Sequence, residues 1–282
     1  MSTGRLLRHV EACNRFDPTA YRPFAISGDP IGHVTPEAAK HLLGKGLAHA
    51  VGDGVGILGG GFLTVSNRLA EIVDSLIEAG LMAGLKGEMT PVHRRWGTPP
   101  IAEIDRAGLP ALGLPAYGVH VNGLLRTEAG LHLWVGRRAR DRRVAPGKLD
   151  HLIAGGIPSG LSVEETLVKE GQEEAGLDAG QAARARPTGV VSYRFTSNEG
   201  LRNDILFVHD LEMPQGVIPA PFDGEVERFE LWSIARVLDT VRGTDDFKFN
   251  VNLVLIDFFI RHGILTPENE PDYTALARGL RH

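Results

Sequence analysis

The chain has 282 residues, enough for one large domain or two modest ones with a full hydrophobic core. Hydrophobic residues make up 43% and charged residues 23%, the balance of an ordinary globular protein, and a net charge of −5 gives no sign of a nucleic-acid or membrane partner. The single cysteine, Cys13, excludes an internal disulfide and a cysteine-built metal cluster, so a reducing cytoplasm is the expected setting.

The N-terminal run MSTGRLLRHVEACNRFD lacks the apolar core of a signal peptide. Residues 1–114 read as a small α/β domain of their own. Residues 24–26 are a short strand, and Thr35-Pro36-Glu37 marks a helix start with proline at the first helical position. Residues 53–61 hold five glycines and are expected to be a link. Leu69, Ile72, Val73, Leu76 and Ile77 make one apolar helical stripe that Gly80 ends. Trp96 to Pro100 punctuates the chain before a short helix expected at 101–107. The basic cluster His93, Arg94 and Arg95 reads as solvated surface, with an anionic substrate as the alternative.

A second domain is expected over residues 115–282. Residues 117–125 and 131–137 are strands, the first alternating through Val119 and Val121, and 140–143 is a charged loop. The stretch 155–177, GGIPSGLSVEETLVKEGQEEAGL, is the most informative in the chain. Its glycines and proline cannot be regular structure. Ser162 and Glu165 have the spacing of a capping box, and Gly176 stands at an αL stop. Glu170, Glu173 and Glu174 fall at i, i+3 and i+4, so three carboxylates share one helix face near the C-terminal end. There the helix dipole disfavours each by roughly 0.3–1 kcal/mol. A hard divalent cation, Mg²⁺ or alternatively Mn²⁺, turns that cost into a site for a bound diphosphate.

Further strands are expected at 188–195, 204–213 and 225–234, with an irregular proline-rich run at 214–222. A mostly buried helix follows at 251–261, too short and too interrupted by Asn252 and Asp257 to span a bilayer, and a short helix closes the chain at 272–280. The eleven histidines show no metal-ligand spacing. Strands that run into helices in this order suit a mixed sheet covered on both faces, an α+β arrangement.

The residues of 155–177 resemble the Nudix box, G-x5-E-x7-R-E-U-x-E-E-x-G-U, with U a bulky aliphatic. Gly155, Glu170, Glu173, Glu174, Gly176 and Leu177 match it. Leu161, Lys169 and Gly171 depart, standing for the first Glu, the Arg and an aliphatic. LWVGRRAR, KLDHLIAGG, DGEVERFELW, FKFNVNLVLIDFFIRHGI and the N-terminal third are similar to the thiamine pyrophosphokinase-related Nudix hydrolases. This resemblance covers nearly the whole chain. It implies a Nudix α/β/α sandwich preceded by a smaller α/β domain, and a Mg²⁺-dependent hydrolase cleaving thiamine diphosphate or its damaged oxythiamine and oxothiamine forms to monophosphate and phosphate. A nucleotide coenzyme such as ADP-ribose or NADH is the alternative substrate, and a catalytically silent binding module the alternative role. A homodimer is compatible with it.

Glu170, Glu173 and Glu174 are the expected metal ligands, with Glu173 and Glu174 also catalytic, and Lys169 is expected to orient a neighbouring carboxylate. Gly155, Gly156 and Gly160 would bring backbone close to the phosphates. The resemblance puts phosphate-binding arginines at Arg137 and Arg138, of which strand alternation lets only one reach the site. It also implies a further Glu from a later loop, with Glu225 ahead of Glu227. Tyr193, Phe195 and Trp232 are candidates for stacking on a substrate ring or for the core. His120 and Asn122, on one strand face, line a pocket or are internally satisfied.

Overall fold

Period-two apolar patterning builds a mixed seven-stranded sheet, and helices with apolar stripes cover both its faces. The structure, a computed structural model, describes residues 6–142, 144–222 and 224–281. The first five residues of the N-terminal run, Arg143 of the charged loop, Asp223 of the DGEVERF stretch and His282 lie outside the described residues.

A short helix, α1 (Leu7–Cys13), comes first. Strands β1 (Arg22–Ile26), β2 (Asp29–Val34), β3 (His49–Val51) and β4 (Gly54–Ile57) form a sheet in the order β2-β1-β4-β3. Helix α2 (Pro36–Gly44) begins where expected, with the Thr35 hydroxyl accepting the Ala38 N–H at 3.2 Å. Helix α3 (Phe62–Glu78) buries Leu69, Ile72, Val73 and Leu76, and Gly80 follows at φ 69°.

Two expectations fail here. Residues 53–61 are no mere link, because they contain β4, a fully buried strand parallel to β1. A Cβ on Gly54 would run into the Pro23 carbonyl oxygen, and one on Gly56 would lie 3.0 Å from the Ala25 oxygen. These glycines serve close strand approach, not looseness. Residues 101–107 are not a helix either. Strand β5 (Met89–Val92) pairs antiparallel with β6 (Ala102–Asp105), and the helix that follows, α4 (Gly108–Ala111), starts later. Tertiary pairing overrides a weak local preference.

The large sheet comprises β7 (Ala116–Thr127), β8 (Gly130–Arg138), β9 (Leu149–Asp150), β10 (Ile153–Gly156), β11 (Arg186–Ser197), β12 (Gly200–Glu212) and β13 (Val226–Ser233). Its order is β11-β12-β7-β8-β13, with β10 on β7 and β9 on β8; β12 and β7 are parallel. One face packs on α5 (Val163–Ala175) and α6 (Ala179–Ala182) through Val121, Ile153 and Leu167. The other packs on α7 (Ile234–Gly243), α8 (Phe249–Arg261) and α9 (Tyr273–Gly279). Residues 250–259 of α8 are buried all round. The expected boundary near residue 114 falls just before β7, yet Val10 and Cys13 of α1 join this second core.

The two kinds of glycine in the first domain give opposite expectations. Gly54→Ala should cost about 1–3 kcal/mol through overpacking. Gly44→Ala, at the end of α2 with open space around it, should gain about 0.5–1 kcal/mol. Thermal melts of both variants check this, and equal shifts would contradict the close-approach reading of Gly54.

Candidate functional site

Helix α5 starts because Ser162 and Glu165 cap each other. The Glu165 carboxylate accepts the Ser162 N–H at 2.8 Å, and the Ser162 hydroxyl accepts the Glu165 N–H at 3.1 Å. It stops at Gly176, in the left-handed region at φ 63°. Two further glycines set how closely it sits on the sheet. A Cβ on Gly155 would come within 2.5 Å of Glu170 Cδ, and one on Gly171 within 3.0 Å of Ala182 Cβ and 3.2 Å of Ile153 Cδ1.

That seating brings Glu170, Glu173 and Glu174 to one wall of a cavity of about 510 Å³, which Gly155, Gly156, Arg138 and Glu225 also line. Glu174 is buried, and its carboxylate accepts the Ala154 N–H at 2.8 Å. Burial nonetheless pushes its carboxyl well above the usual range, with Asp150, Glu170 and Glu225 acting in the same direction. Burial raises Glu170 as well, against the pull of Lys169. Glu173 is the exposed member, its side chain 46% accessible. The Lys169 ammonium bridges the pair, 3.2 Å from Glu170 and 2.6 Å from Glu173. Partial burial opposes its charge, but the two carboxylates outweigh that and raise its pKa.

Two features of the structure test whether these residues fit a divalent ion. The donors are all carboxylate oxygens, as a hard cation requires, and a cationic nitrogen already sits between two of them. A different trio, His120, Asp150 and His151, has ligand atoms within 4.8 Å of one another and is fully buried. It fits a cation less well. Asp150 is already bonded to Arg138 at 2.9 Å and lies 3.5 Å from Lys248, so its charge is compensated twice. Burial alone would raise the Asp150 carboxyl, but Lys248 and Arg138 pull it well below the ordinary range.

The remaining expected residues separate. Arg138 lines the cavity but is buried, tied to Asp150 and to the Val144 carbonyl. Arg137 does not line it and donates to the Gly147 carbonyl at 2.8 Å. Glu225 reaches the cavity, held by Arg142 at 2.7 Å, whereas Glu227 lies beside Arg140 and Arg228 and does not. Tyr193 and Trp232 are core residues, Tyr193 bonded to Asp204 at 2.5 Å and Trp232 stacked under Arg236. Phe195 packs against the same core, so none of the three aromatic candidates lines this cavity; Tyr117 and Phe249 do. His120 lines it, while Asn122 is turned to Asp210. Arg94 pairs with Asp29, and no member of its basic cluster reaches the cavity.

Residues from the first domain that local patterns did not single out also line the cavity: Lys86, Glu88, Thr90 and Arg106 flank or belong to the β5–β6 hairpin. The Met89 carbonyl accepts the Ser159 N–H at 2.8 Å, joining the hairpin to the loop before α5. Asp150, His151 and Lys248 were equally invisible, since they meet only through folding.

The buried histidines make the protein sensitive to acid. His120 Nδ1 and His151 Nδ1 are 2.9 Å apart, one donating to the other. Burial lowers both, His151 to about 4, and His151 and Lys248 press His120 down further. In the unfolded chain they titrate near 6.5. Between about pH 6.5 and 4 the unfolded state therefore binds more protons, so this contribution is complete above the window and is lost as pH falls through it. Melting temperature should drop from about pH 7 to 5 as stability falls by roughly 1 kcal/mol per pH unit for each histidine, with a shallower slope in His151→Asn. A flat wild-type profile would contradict a neutral buried pair.

The NUDIX domain model matches residues 116–250, and the Domain of unknown function (DUF4743) model matches residues 5–116. Nudix hydrolase 24, chloroplastic, of Arabidopsis thaliana is 37% identical over 288 residues, covering 98% of this chain and 77% of its own. Nudix hydrolase 20, chloroplastic, of the same plant is 39% identical over 217 residues, covering 77% of this chain, which spans only 58% of that relative. Among solved structures, DR0079 from Deinococcus radiodurans has a TM-score of 0.45 at 21% identity, covering 59% of this chain and 97% of its own. No helix among the described residues is long and apolar enough to cross a membrane. With an α+β fold, a mixed sheet carrying the box helix and a relative that matches nearly the whole of it, the chain belongs to the Nudix hydrolase family.

Proposed function

We propose that the protein is a Mg²⁺-dependent diphosphohydrolase that cleaves thiamine diphosphate or its damaged analogues to the monophosphate and phosphate. The observation that carries the diphosphatase reading is the wall of α5 carboxylates that lines one cavity together with Gly155 and Gly156. Glu170, Glu173 and Glu174 would hold the metal, which supplies charge neutralisation on the phosphoryl oxygens and acidifies water. Lys169 keeps Glu170 and Glu173 aligned. Glu225, fixed by Arg142 on the cavity wall, is the proposed acceptor of the attacking water's proton. The new O–P bond forms in line with the bridging oxygen, which leaves with the monophosphate.

The substrate's organic half would lie against the apolar lining that includes Leu109, Leu114, Tyr117 and Phe249. The thiamine part of the reading rests on the sequence resemblance. A nucleotide coenzyme is the competing substrate, since the same phosphate machinery serves both. The lone buried Cys13 suits a reducing compartment such as the cytoplasm.

A diphosphate panel assayed with and without Mg²⁺ tests this. Inorganic phosphate from thiamine diphosphate analogues is the expected product, and a nucleoside monophosphate from ADP-ribose or NADH would move the assignment. Glu174→Gln should lower kcat by roughly 100-fold or more, while unchanged turnover would remove the metal assignment. Separately, Mg²⁺ at about 100 times its Kd should stabilise the wild type by about 2.7 kcal/mol. Glu170→Gln should lose most of that shift in the melting temperature.

A further inference from the structure

Most of the cavity's cations are tied to buried or local partners. Arg138 and Lys248 face Asp150, Arg142 holds Glu225, and Arg202 pairs with Glu199. Arg106 differs. It follows β6, and its backbone N–H donates to the Glu88 carbonyl at 2.8 Å. Its Nη1 donates to the Glu88 carboxylate at 2.8 Å, which fixes the guanidinium from one side. Its Cζ, Nη2 and Nε then lie 3.0, 3.2 and 3.3 Å from the point that a Cβ on Gly156 would occupy, so the face of the fork is laid over the glycine and its Nε–Nη2 edge is left to one side. That edge presents two parallel N–H groups, the geometry that binds two oxygens of one phosphate. The side chain keeps 44% of its surface accessible, so a ligand can reach it.

The mounting is rigid. The Asp105 carboxylate, one residue earlier, accepts the N–H groups of Lys86, Gly87 and Ala107 at 3.0, 2.7 and 2.8 Å. The hairpin's other strand is joined to the box loop by the Met89–Ser159 bond. On the far side of the glycine pair, Glu170 abuts Gly155. A diphosphate in the cavity that Glu170 and Arg106 both line would meet carboxylates on one side and a guanidinium fork on another.

We propose that Arg106, delivered by the first domain, binds a terminal or bridging-phosphate oxygen pair of the substrate, so that the N-terminal domain completes the diphosphate site of the second. This rests on the diphosphatase reading but is tested apart from it. Full-length protein is titrated calorimetrically with methylenediphosphonate in Mg²⁺, and phosphate release is measured in parallel. Arg106→Gln should weaken the diphosphonate Kd and raise KM by roughly ten- to a hundred-fold, as loss of a charge-assisted contact does. Arg106→Lys, which keeps the charge without the fork, should fall between. Arg94→Gln removes the same charge from the same domain outside the cavity and should change neither. Melting temperatures are read for every variant, because a purely structural bracket to Glu88 would move Tm and leave Kd and KM alone.

If Arg106→Gln fails to fold, a wild-type-like Tm with a weakened Kd in Arg106→Lys supports the assignment equally. Kd and KM within twofold of wild type in a folded Arg106 variant overturn it, as does a wild type that binds no diphosphonate. A wild type that cleaves no diphosphate, yet loses diphosphonate affinity with Arg106→Gln, would sink the hydrolase reading and leave this one standing.

Discussion

The site depends on how near α5 can come to β10. A carboxylate-bearing helix packed at ordinary distance would carry its acidic face above the sheet, open to water. Here Gly155 on the strand and Gly171 on the helix remove the two Cβ atoms that would hold them apart. Glu174 then goes beneath the strand end to accept the Ala154 N–H, and Glu170 lies against Gly155. Close seating concentrates negative charge where solvent can no longer screen it, which is why burial raises both carboxyls. Helix capping at Ser162 and Gly176 fixes the register that makes this possible.

Beneath that acidic wall lies a compensating layer. Asp150 gathers Arg138, Lys248 and the N–H of His151, and His120 closes the group against His151. Buried polar groups of this kind stabilise only when they are nearly all satisfied. Their arrangement decides which arginine serves which task. Arg138 neutralises Asp150 from β8, and the guanidinium laid on Gly156 is that of Arg106, from another domain. The hairpin thus supplies residues to the cavity lining.

Legibility in the sequence follows the range of the interactions involved. The box helix can be read to the residue, since caps, αL glycine and i, i+3, i+4 spacing are local chemistry. Five of the seven strands of the large sheet are expected from the sequence, the first of them from its alternation. The glycine-rich β4 is not, because a glycine demanded by a neighbouring strand looks the same as one demanded by a turn. Strand β6 escapes because AEID has no strong preference until β5 pairs with it. Helix α7 does leave a local signal, with Val237 and Val241 buried four residues apart behind Ser233 as N-cap. Arg106, Asp150 and Lys248 leave none, since their partners lie elsewhere in the chain. Tyr193 and Trp232 could be stacking or core residues on sequence grounds alone, and only packing decides for core.

The departures from the Nudix box bear on whether the site is alive. Gly171 replaces an aliphatic, and its place against Ala182 and Ile153 gives it a packing role. Lys169 replaces an arginine, but the carboxylates it serves are adjacent on one helix face, and a point charge reaches both at 3.2 and 2.6 Å without a planar fork. Nothing in the structure explains Leu161. Two of the three changes therefore leave the acidic wall and its alignment in place, and neither removes an oxygen donor. A domain kept only to bind a partner would have no reason to hold Glu174 at 5% exposure, where its charge is costly. Retaining that cost beside close-packed glycines accords with the diphosphatase proposed above.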